Sequence, residues 1–250
     1  MAWDGLAGER VVVTGGASGI GRAAALGFAA AGARLVVADV DEPGAASACA
    51  EVRRLGALAE AVPFDLCDAD SVRAAAGAVL ARGAPRVLVN AAGWDRLEPF
   101  LENSDEFSER VVRLNLLGPM ALTRALLPAM IEAGGARIVN VASDAGRVGS
   151  SGETVYAGAK GGIIAFTKSL AREMARHRVR VNCVSPGPTD TPLFATLPEK
   201  MRQALVRAIP FGRLAKPEEV AEAILFFASP RSEFVTGQVL SVSGGLTMAG

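Results

Sequence analysis

Side chains that commonly transfer protons or bind metals are scarce in this sequence, which has one histidine, His177, and one tyrosine, Tyr156, among 250 residues. A metal site that needs several histidines is therefore excluded, and no metal is expected. A Ser-His-Asp hydrolase would depend on His177, which lies in the charged segment 176–178. The nucleophile motif Gly-x-Ser-x-Gly does not occur in the sequence, so we assign His177 no role.

Cysteine is also scarce, and Cys49, Cys67 and Cys183 have neither the spacing of a zinc site nor a number suited to a disulfide framework. We expect reduced thiols and a cytoplasmic protein. The 26 basic residues balance the 26 acidic ones without a long basic run, so nucleic acid is not expected as a partner. No apolar run approaches the roughly 18 residues that span a bilayer, and the first residues do not resemble a signal peptide. We therefore expect no membrane partner.

Apolar and β-branched runs recur along the chain and predict seven strands, at 10–14, 34–39, 59–64, 86–90, 137–141, 179–184 and 238–242. Several of these runs are continuous, which is typical of strands covered on both faces of a parallel sheet. Between them lie helix-favouring stretches rich in Ala, Leu, Glu and Arg, at 19–31, 43–55, 69–81, 104–130, 154–175 and 217–228.

This alternation predicts an α/β fold, a doubly wound parallel sheet with helices on both faces. A length of 250 residues is compatible with one domain over 1–250. The stretch 185–198 is rich in Pro, Gly and Thr, and irregular segments of this length in compact domains are usually functional. We expect a substrate loop or lid over about 186–212.

The first predicted strand runs into a glycine-rich loop from Thr14 to Gly21, and a helix follows. Glycines at this place let the backbone approach a pyrophosphate that sits at the helix N-terminus. Arg22 occupies the position where a P-loop needs Lys, so a P-loop is excluded. A tight turn without a ligand is the alternative, but it would not need Gly15, Gly19 and Gly21 together.

Asp39 ends the second predicted strand, where an acid accepts hydrogen bonds from both hydroxyls of an adenosine ribose. Its charge would repel the extra phosphate of NADP, and Ser18 in the loop offers no cation for that phosphate. The alternative is an exposed acid at a strand end, because Asp41 and Glu42 are acidic too. The sequence favours NAD as the cofactor.

Tyr156 and Lys160 have the i, i+4 spacing that places two side chains on one helix face. Free tyrosine, with a pKa of about 10, is a poor base at neutral pH, but a nearby ammonium and a cationic nicotinamide lower that pKa. Ser143 follows the fifth predicted strand and could donate to the substrate oxygen that exchanges its proton with Tyr156. An ordinary amphipathic helix pair is the alternative for Tyr156 and Lys160.

The motifs Thr14-Gly-x-x-x-Gly-x-Gly21, Asn90-Ala-Ala-Gly93, Asn115, Ser143, Tyr156-x-x-x-Lys160 and Pro186-Gly187 occur in that order. In this combination, over essentially all 250 residues, the chain resembles the short-chain dehydrogenase/reductase family, which implies a single-domain Rossmann-type fold and usually a tetramer. The resemblance implies cofactor contacts from Gly15, Ser18, Gly19, Ile20, Gly21, Asp39, Asp65, Leu66, Asn90, Ala91, Gly93, Tyr156, Lys160, Pro186, Gly187, Thr189 and Thr191.

The resemblance also implies catalytic roles. Tyr156 would be the general acid/base and Ser143 would polarise the substrate oxygen. Lys160 would bind the nicotinamide ribose and lower the Tyr156 pKa, while Asn115 would hold a water that extends the proton relay. Ala91 is a departure, because asparagine is common there in the family.

Three segments should line the substrate pocket: the one from Trp94 onward, 143–154 and 189–197. Together with 242–248 they resemble dehydrogenases of bacterial alicyclic acid degradation, which oxidise 2-hydroxycyclohexanecarboxyl-CoA to 2-ketocyclohexanecarboxyl-CoA. Expected substrate contacts are Trp94, Ser143, Asp144, Arg147 and Phe194. Arg147 could face the CoA phosphates, or it could be a solvated charge or form a salt bridge to Asp144 or Glu153. Trp94 could instead pack at a loop or subunit contact.

The sequence therefore predicts an NAD-dependent secondary-alcohol dehydrogenase whose substrate is a small molecule, an acyl-CoA. One alternative is an NADPH-dependent 3-oxoacyl-[acyl-carrier-protein] reductase, which should carry a basic residue in the phosphate loop or after the second strand. A non-enzyme alternative is a dinucleotide-binding sensor or scaffold, against which the complete set of catalytic side chains argues.

Overall fold

A sheet of seven parallel strands organises the part of the chain that this computed structural model describes, which is residue 3 and residues 5–248. The strands are β1 (Arg10–Thr14), β2 (Arg34–Asp39), β3 (Ala59–Pro63), β4 (Val87–Asn90), β5 (Ala136–Val141), β6 (Val179–Pro186) and β7 (Val239–Val242). All six pairings between neighbouring strands are parallel. The predicted α/β fold with a seven-stranded parallel sheet is confirmed.

The strands are ordered β3-β2-β1-β4-β5-β6-β7, so the direction of winding reverses between β1 and β4. The loops after these two strands leave the sheet in opposite directions and open a crevice at their carboxyl ends. In doubly wound sheets, ligands bind in this crevice. The glycine-rich loop follows β1 and the Asn90–Gly93 segment follows β4, so both predicted cofactor motifs lie at its edge.

Helices cover both faces of the sheet. They are α1 (Gly19–Ala30), α2 (Glu42–Arg54), α3 (Ala69–Leu80), α4 (Asp105–Val112), α5 (Gly118–Glu132), α6 (Ala145–Val148), α7 (Thr154–Met174), α8 (Pro192–Ala195), α9 (Glu199–Ala208) and α10 (Pro217–Ala228). On one face α1, α2 and α10 bury a core that includes Phe28 and Ile224. On the other face α3, α5 and α7 bury a second core around Leu126 and Met130. The chain is thus one doubly wound domain.

The structure corrects the predicted end of β6. The strand continues through Pro186, two residues into the stretch predicted to be irregular, because Ser185 and Pro186 pair with Ser241 and Val242 of β7. The rest of that stretch is not wholly irregular, since it contains α8. Helix α9 was not predicted, and all its side chains are exposed or half-buried, so it lacks the sheet-facing apolar stripe that identifies other helices.

The predicted helix 104–130 is divided into three parts. Helix α4 ends at Val112, a π-helical turn follows at Arg113–Leu117, and α5 begins at Gly118. Turns of this kind are rare and frequently occur at functional sites. Asn115, one of the predicted catalytic residues, lies in this turn.

The continuous helical stretch Asp105–Glu132 is long and apolar enough to cross a membrane by length and composition alone, since it contains an 18-residue window with a mean hydropathy of 1.3. Within the fold, Leu122, Leu126 and Met130 on this stretch are buried against the sheet. Packing in the core of the domain therefore accounts for its apolar character.

Candidate active site

One cavity of about 930 Å³ opens at the carboxyl ends of the strands and gathers most of the predicted site residues. Its wall includes the predicted Gly15, Ser18, Gly19, Ile20, Gly21, Asp39, Asp65, Leu66, Ala91, Gly93, Trp94, Ser143, Asp144, Tyr156, Lys160, Pro186, Gly187, Thr189, Thr191 and Phe194. Asn90, Asn115 and Arg147 are described but do not line it. The cavity therefore joins a cofactor groove to the predicted substrate pocket.

The glycine loop is packed too closely to accept side chains. Gly15 has a φ of +67°, and a Cβ there would lie 2.7 Å from the Ala92 Cα. A Cβ on Gly21 would collide with the Gly15 carbonyl oxygen. These glycines bring the start of α1 against the loop and leave an open wall where a pyrophosphate can meet the helix N-terminus. The loop fits a dinucleotide.

Asp39 is fixed at the edge of the groove by backbone donors. Its Oδ2 accepts a hydrogen bond of 2.9 Å from the Ala17 N–H, and its Oδ1 accepts one of 3.0 Å from the Asp41 N–H. Because Asp39 is half-buried and lines the cavity, it is not simply an exposed strand-end acid. Its carboxylate keeps lone pairs for ribose hydroxyls.

Arg22 is a cation beside this loop whose surroundings the sequence did not reveal. It donates to the Ala17 carbonyl at 3.2 Å and forms an ion pair of 2.8 Å with Glu51 on α2. Glu51 thus offsets the nearby positive charge, so the adenosine end of the groove keeps the acidic character that Asp39 gives it.

Ser143, Tyr156 and Lys160 converge on one wall of the cavity, as predicted. Ser143 and Tyr156 are hydrogen-bonded through their side chains. Lys160 Nζ lies 5.6 Å from the centre of the Tyr156 ring and donates to the Val141 carbonyl oxygen at 2.9 Å. Only 3% of Lys160 is exposed, and burial lowers its pKa to about 8.

The Tyr156 pKa in the protein alone departs from the prediction. We expected Lys160 to lower it, but burial raises the pKa of Tyr156 above its ordinary value, and the carboxylates of Glu153 and Asp95 raise it further. The hydrogen bond with Ser143 acts in the opposite direction. Desolvation of the phenolate is the largest cause in the protein alone, and the lowering of this pKa by Lys160 and a bound cofactor stays a prediction.

Asn115 holds the loop after β4 rather than lining the cavity. Its Nδ2 donates to the carbonyl oxygens of Trp94 at 2.7 Å and Val111 at 2.9 Å, and its Oδ1 accepts a longer bond of 3.3 Å from the Trp94 N–H. Both amide hydrogens are thus engaged by backbone. The side chain fixes Trp94, and through it the first residues of the substrate wall.

The structure places the side chain of Asn90 outside the cavity wall, and a contact between Asn90 and the cofactor stays a prediction. Asn90 is buried beneath the groove, where its Nδ2 donates to Asn140 Oδ1 at 2.8 Å and to Thr123 Oγ1 at 3.1 Å. Asn140 in turn donates to Thr167 Oγ1 at 2.9 Å. The Asn90 side chain bonds to residues of α5 and β5, and through Asn140 it is linked to α7, so it ties these elements to β4.

The substrate end has an aromatic wall. Trp94 meets Phe107 edge to face, with ring centroids 5.9 Å apart, and the Arg110 guanidinium lies 4.4 Å from the centre of the Trp94 ring. Arg147 donates to Ser241 Oγ at 2.6 Å, and that hydroxyl donates to Asp144 Oδ1 at 2.6 Å. Arg147 is therefore neither a solvated charge nor a cavity wall, but is linked to Asp144 through Ser241.

Several wall residues were not named among the predicted site residues, namely Asp95, Leu97, Arg110, Glu153, Met201 and Leu205. Asp95 and Glu153 fall within segments predicted to line the pocket, but nothing in the sequence singled them out. Met201 and Leu205 repeat at i, i+4, a spacing that could have indicated a helix facing the cavity.

The family comparison agrees with this site. A family model described as enoyl-(acyl carrier protein) reductase matches residues 15–247. Cis-4-hydroxycyclohexanecarboxylate dehydrogenase of Sinomonas cyclohexanicum is 43% identical over 96% of this chain and 97% of its own length. The (3R)-3-hydroxyacyl-CoA dehydrogenase of Mus musculus is 38% identical over 95% of both chains.

A solved structure agrees as well. The crystal structure of 3-ketoacyl-(acyl-carrier-protein) reductase from Brucella melitensis complexed with NADH superposes with a TM-score of 0.91, at 34% identity, over 97% of this chain and all of that one. With the Ser143, Tyr156 and Lys160 cluster, these matches identify an oxidoreductase of the hydroxyacyl dehydrogenase/reductase type that uses a nicotinamide dinucleotide. The chain belongs to the short-chain dehydrogenase/reductase family.

Proposed function

We propose that this protein is an NAD-dependent dehydrogenase that oxidises the hydroxyl β to an acyl thioester, with 2-hydroxycyclohexanecarboxyl-CoA as substrate and 2-ketocyclohexanecarboxyl-CoA as product. The observation that carries this proposal is a single cavity with Asp39 at one end and the hydrogen-bonded pair of Ser143 and Tyr156 at the other. Such a cavity can align an adenosine ribose, a nicotinamide and an alcohol in that order.

The side chains divide the reaction between them. Ser143 donates a hydrogen bond to the substrate oxygen and holds it beside Tyr156. The Tyr156 phenolate takes the hydroxyl proton as the carbinol C–H bond breaks, and Lys160 supplies the positive charge near the phenolate. The bound cofactor supplies the acceptor for the hydride. A ketone is left, and the proton passes on toward solvent.

NAD rather than NADP is favoured by the charges around the adenosine end. Asp39 would repel a 2′-phosphate, and Arg22, a cation of α1 that contacts the loop, forms an ion pair with Glu51. The Brucella melitensis relative was solved with NADH, which supports the same choice.

The substrate class is supported by the cavity wall and by the relatives. Trp94, Leu97 and Phe194 offer apolar surface to a ring or acyl chain. The relatives include a dehydrogenase named for a hydroxycyclohexanecarboxylate and one named for a hydroxyacyl-CoA. The rival function is an NADPH-dependent 3-oxoacyl-[acyl-carrier-protein] reductase. The name of the Brucella melitensis enzyme supports the reductase part of this rival, but its bound NADH does not support the choice of NADPH.

A substrate panel tests the proposal. The purified protein is assayed by NADH absorbance with NAD⁺ or NADP⁺ and 2-hydroxycyclohexanecarboxyl-CoA, 3-hydroxybutyryl-CoA, cis-4-hydroxycyclohexanecarboxylate or cyclohexanol. We expect the highest kcat/KM with NAD⁺ and the cyclic thioester. A preference for NADPH and an acyl-carrier-protein thioester in the reverse direction would replace this proposal with its rival.

Tyr156→Phe separates an enzyme from a sensor or scaffold. Because general acid–base groups contribute about 10²–10⁴-fold, kcat should fall by at least about 100-fold, while NADH affinity stays within about threefold. Tryptophan fluorescence titration measures that affinity. An unchanged kcat would remove Tyr156 from the mechanism.

We further propose that the protein works as a cytoplasmic homotetramer and that 186–212 acts as a lid. Exposed apolar side chains on the domain surface, such as Leu117 and Phe234, support assembly. Thr191, Phe194 and Met201 from the lid line the cavity mouth. Light scattering tests the assembly, and protection of 186–212 from hydrogen exchange on NADH binding tests the lid.

A further inference from the structure

Asp95 is a buried acid in the substrate wall, and the only donors that act on its carboxyl belong to the adjacent residue Arg96 in the described part of the protein. Asp95 is 8% exposed, and neither of its carboxyl oxygens accepts a well-formed hydrogen bond in the described part of the protein, although the Arg96 backbone N–H lies near enough to act on the carboxylate. The side chain lines the same cavity as Ser143 and Tyr156. Buried polar atoms in folded proteins are almost always satisfied, so an orphaned carboxyl in a ligand cavity indicates a group that meets its partner in the complex.

The position of Asp95 is set by both of its neighbouring segments. Asn115 holds Trp94, the preceding residue, through its side-chain amide at 2.7 and 3.3 Å. The Glu98 N–H donates to the Gly152 carbonyl oxygen at 2.9 Å and joins this segment to the residues just before α7. Asp95 is therefore held close to the residues that carry the chemistry rather than on a free loop.

Burial, more than the surrounding charges, favours the protonated form of Asp95. Glu153 lies close enough to repel its carboxylate, and Asp95 in turn acts on Tyr156. Burial is the largest cause that raises the pKa of Asp95, to about 7, while the nearby backbone N–H and the guanidinium of Arg96 act in the opposite direction. A neutral carboxyl in this place has one hydrogen to donate.

We propose that Asp95 is a specificity-determining residue, whose protonated carboxyl donates a hydrogen bond to the acyl carbonyl oxygen of the substrate. This rests on the proposed function, because a β-hydroxyacyl thioester has a neutral carbonyl two carbons from the hydroxyl that Ser143 and Tyr156 hold. A free carboxylate at that place would meet the negative charge of Glu153. A simple alcohol would leave Asp95 without its partner.

Two substitutions separate the hydrogen bond from the shape of the side chain. Asp95→Asn keeps a donor of nearly the same size, and Asp95→Leu removes the donor while it keeps the branched shape and the number of side-chain heavy atoms. With 3-hydroxybutyryl-CoA and NAD⁺, D95N should retain kcat/KM within about threefold, while D95L should lose about tenfold or more, mostly in KM. With cyclohexanol as substrate, the fold-decrease of kcat/KM in D95L should be at least about fivefold smaller than with the thioester. Asp105→Asn, at an exposed acid, is the matched control and should behave as the wild type.

The pH dependence of KM distinguishes a hydrogen bond from Asp95 to the substrate from a purely structural role of Asp95, because a structural role would not change KM with pH. In the wild type, KM for the thioester should rise as pH increases through about 7, where Asp95 loses its proton, whereas in D95N it should stay flat. Equal losses in D95L with thioester and cyclohexanol, or no loss with the thioester, would overturn the assignment. If the wild type oxidises cyclohexanol but no hydroxyacyl thioester, the proposed function itself fails, and the Asp95 contact fails with it.

Discussion

Tyr156 must lose its proton before it can act on an alcohol, yet the protein around it favours the neutral phenol. Burial raises its pKa, and the nearest acids, Glu153 and Asp95, add to that effect. The hydrogen bond from Ser143 and the nearby Lys160 ammonium favour the phenolate. The positive charge of the nicotinamide of bound NAD⁺ would favour the phenolate as well. Proton transfer at this residue is thus tied to cofactor binding.

Glu153→Gln tests this balance. The substitution removes a negative charge beside the phenol, so the pKa of Tyr156 should fall and the rising limb of kcat/KM for alcohol oxidation should move to lower pH. At pH 7 the oxidation rate should increase about three- to tenfold. The full pH–rate profile with NAD⁺ is the measurement, and Glu132→Gln, at an exposed acid on α5, is the control. A rising limb that moves to higher pH would contradict the conclusion that Glu153 raises the pKa of Tyr156.

A buried network of side-chain hydrogen bonds joins four secondary-structure elements below the cofactor groove. Asn90 of β4 bonds to Thr123 of α5 and Asn140 of β5, and Asn140 bonds to Thr167 of α7. Thr167 also donates to the Ile163 carbonyl oxygen at 2.8 Å. Because α7 carries Tyr156 and Lys160, this chain fixes the catalytic helix against the strand that precedes Ser143.

Thr167→Val measures the contribution of that chain. The substitution is nearly isosteric but leaves the Asn140 amide without its acceptor, so the free energy of unfolding should fall by about 1–3 kcal/mol. Thr196→Val is the matched control, since Thr196 also donates to a carbonyl one turn back but is exposed. Urea unfolding of both variants gives the comparison. Equal decreases in the free energy of unfolding for the two variants would show that the hydrogen bond from Asn140 to Thr167 does not stabilise the fold.

For the whole molecule, cofactor choice should appear as a difference in stability. A ligand that binds only the folded protein raises its Tm in proportion to the logarithm of its concentration over its Kd. Asp39→Asn keeps an oxygen acceptor for the Ala17 N–H but removes the charge that opposes a 2′-phosphate. NADH should therefore raise the wild-type Tm more than NADPH does. In D39N, the difference between the Tm increases caused by the two cofactors should be smaller.

The thermal shift measurement needs a neighbouring control. Glu42→Gln removes an exposed acid at the start of α2 that does not line the cavity. It should therefore leave the difference between the NADH and NADPH thermal shifts unchanged. We expect NADPH to bind D39N about tenfold more tightly than the wild type, the effect of one close charge pair. A wild-type protein that NADPH stabilises as much as NADH would contradict the role given to Asp39.

Several features follow from local sequence alone. The continuous apolar runs predicted all seven strands to within two residues at each end, because buried parallel strands require such runs. The glycine loop, Asp39 and the i, i+4 pair of Tyr156 and Lys160 are set by short spacings, so they were found without a structure. Element order then brought them to the carboxyl edge of the sheet.

Other features depend on contacts between residues distant in the chain, and only the tertiary structure decided them. The side chain of Asn90 turns away from the groove because Thr123 and Asn140 meet it there, and Arg22 is neutralised by Glu51 on another helix. The raised pKa values of Tyr156 and Asp95 come from burial that the sequence cannot measure. Sequence therefore determined which chemical groups are present and which edge of the sheet they share. The tertiary structure decided their protonation and their partners, because desolvation and long-range contacts exist only in the folded chain.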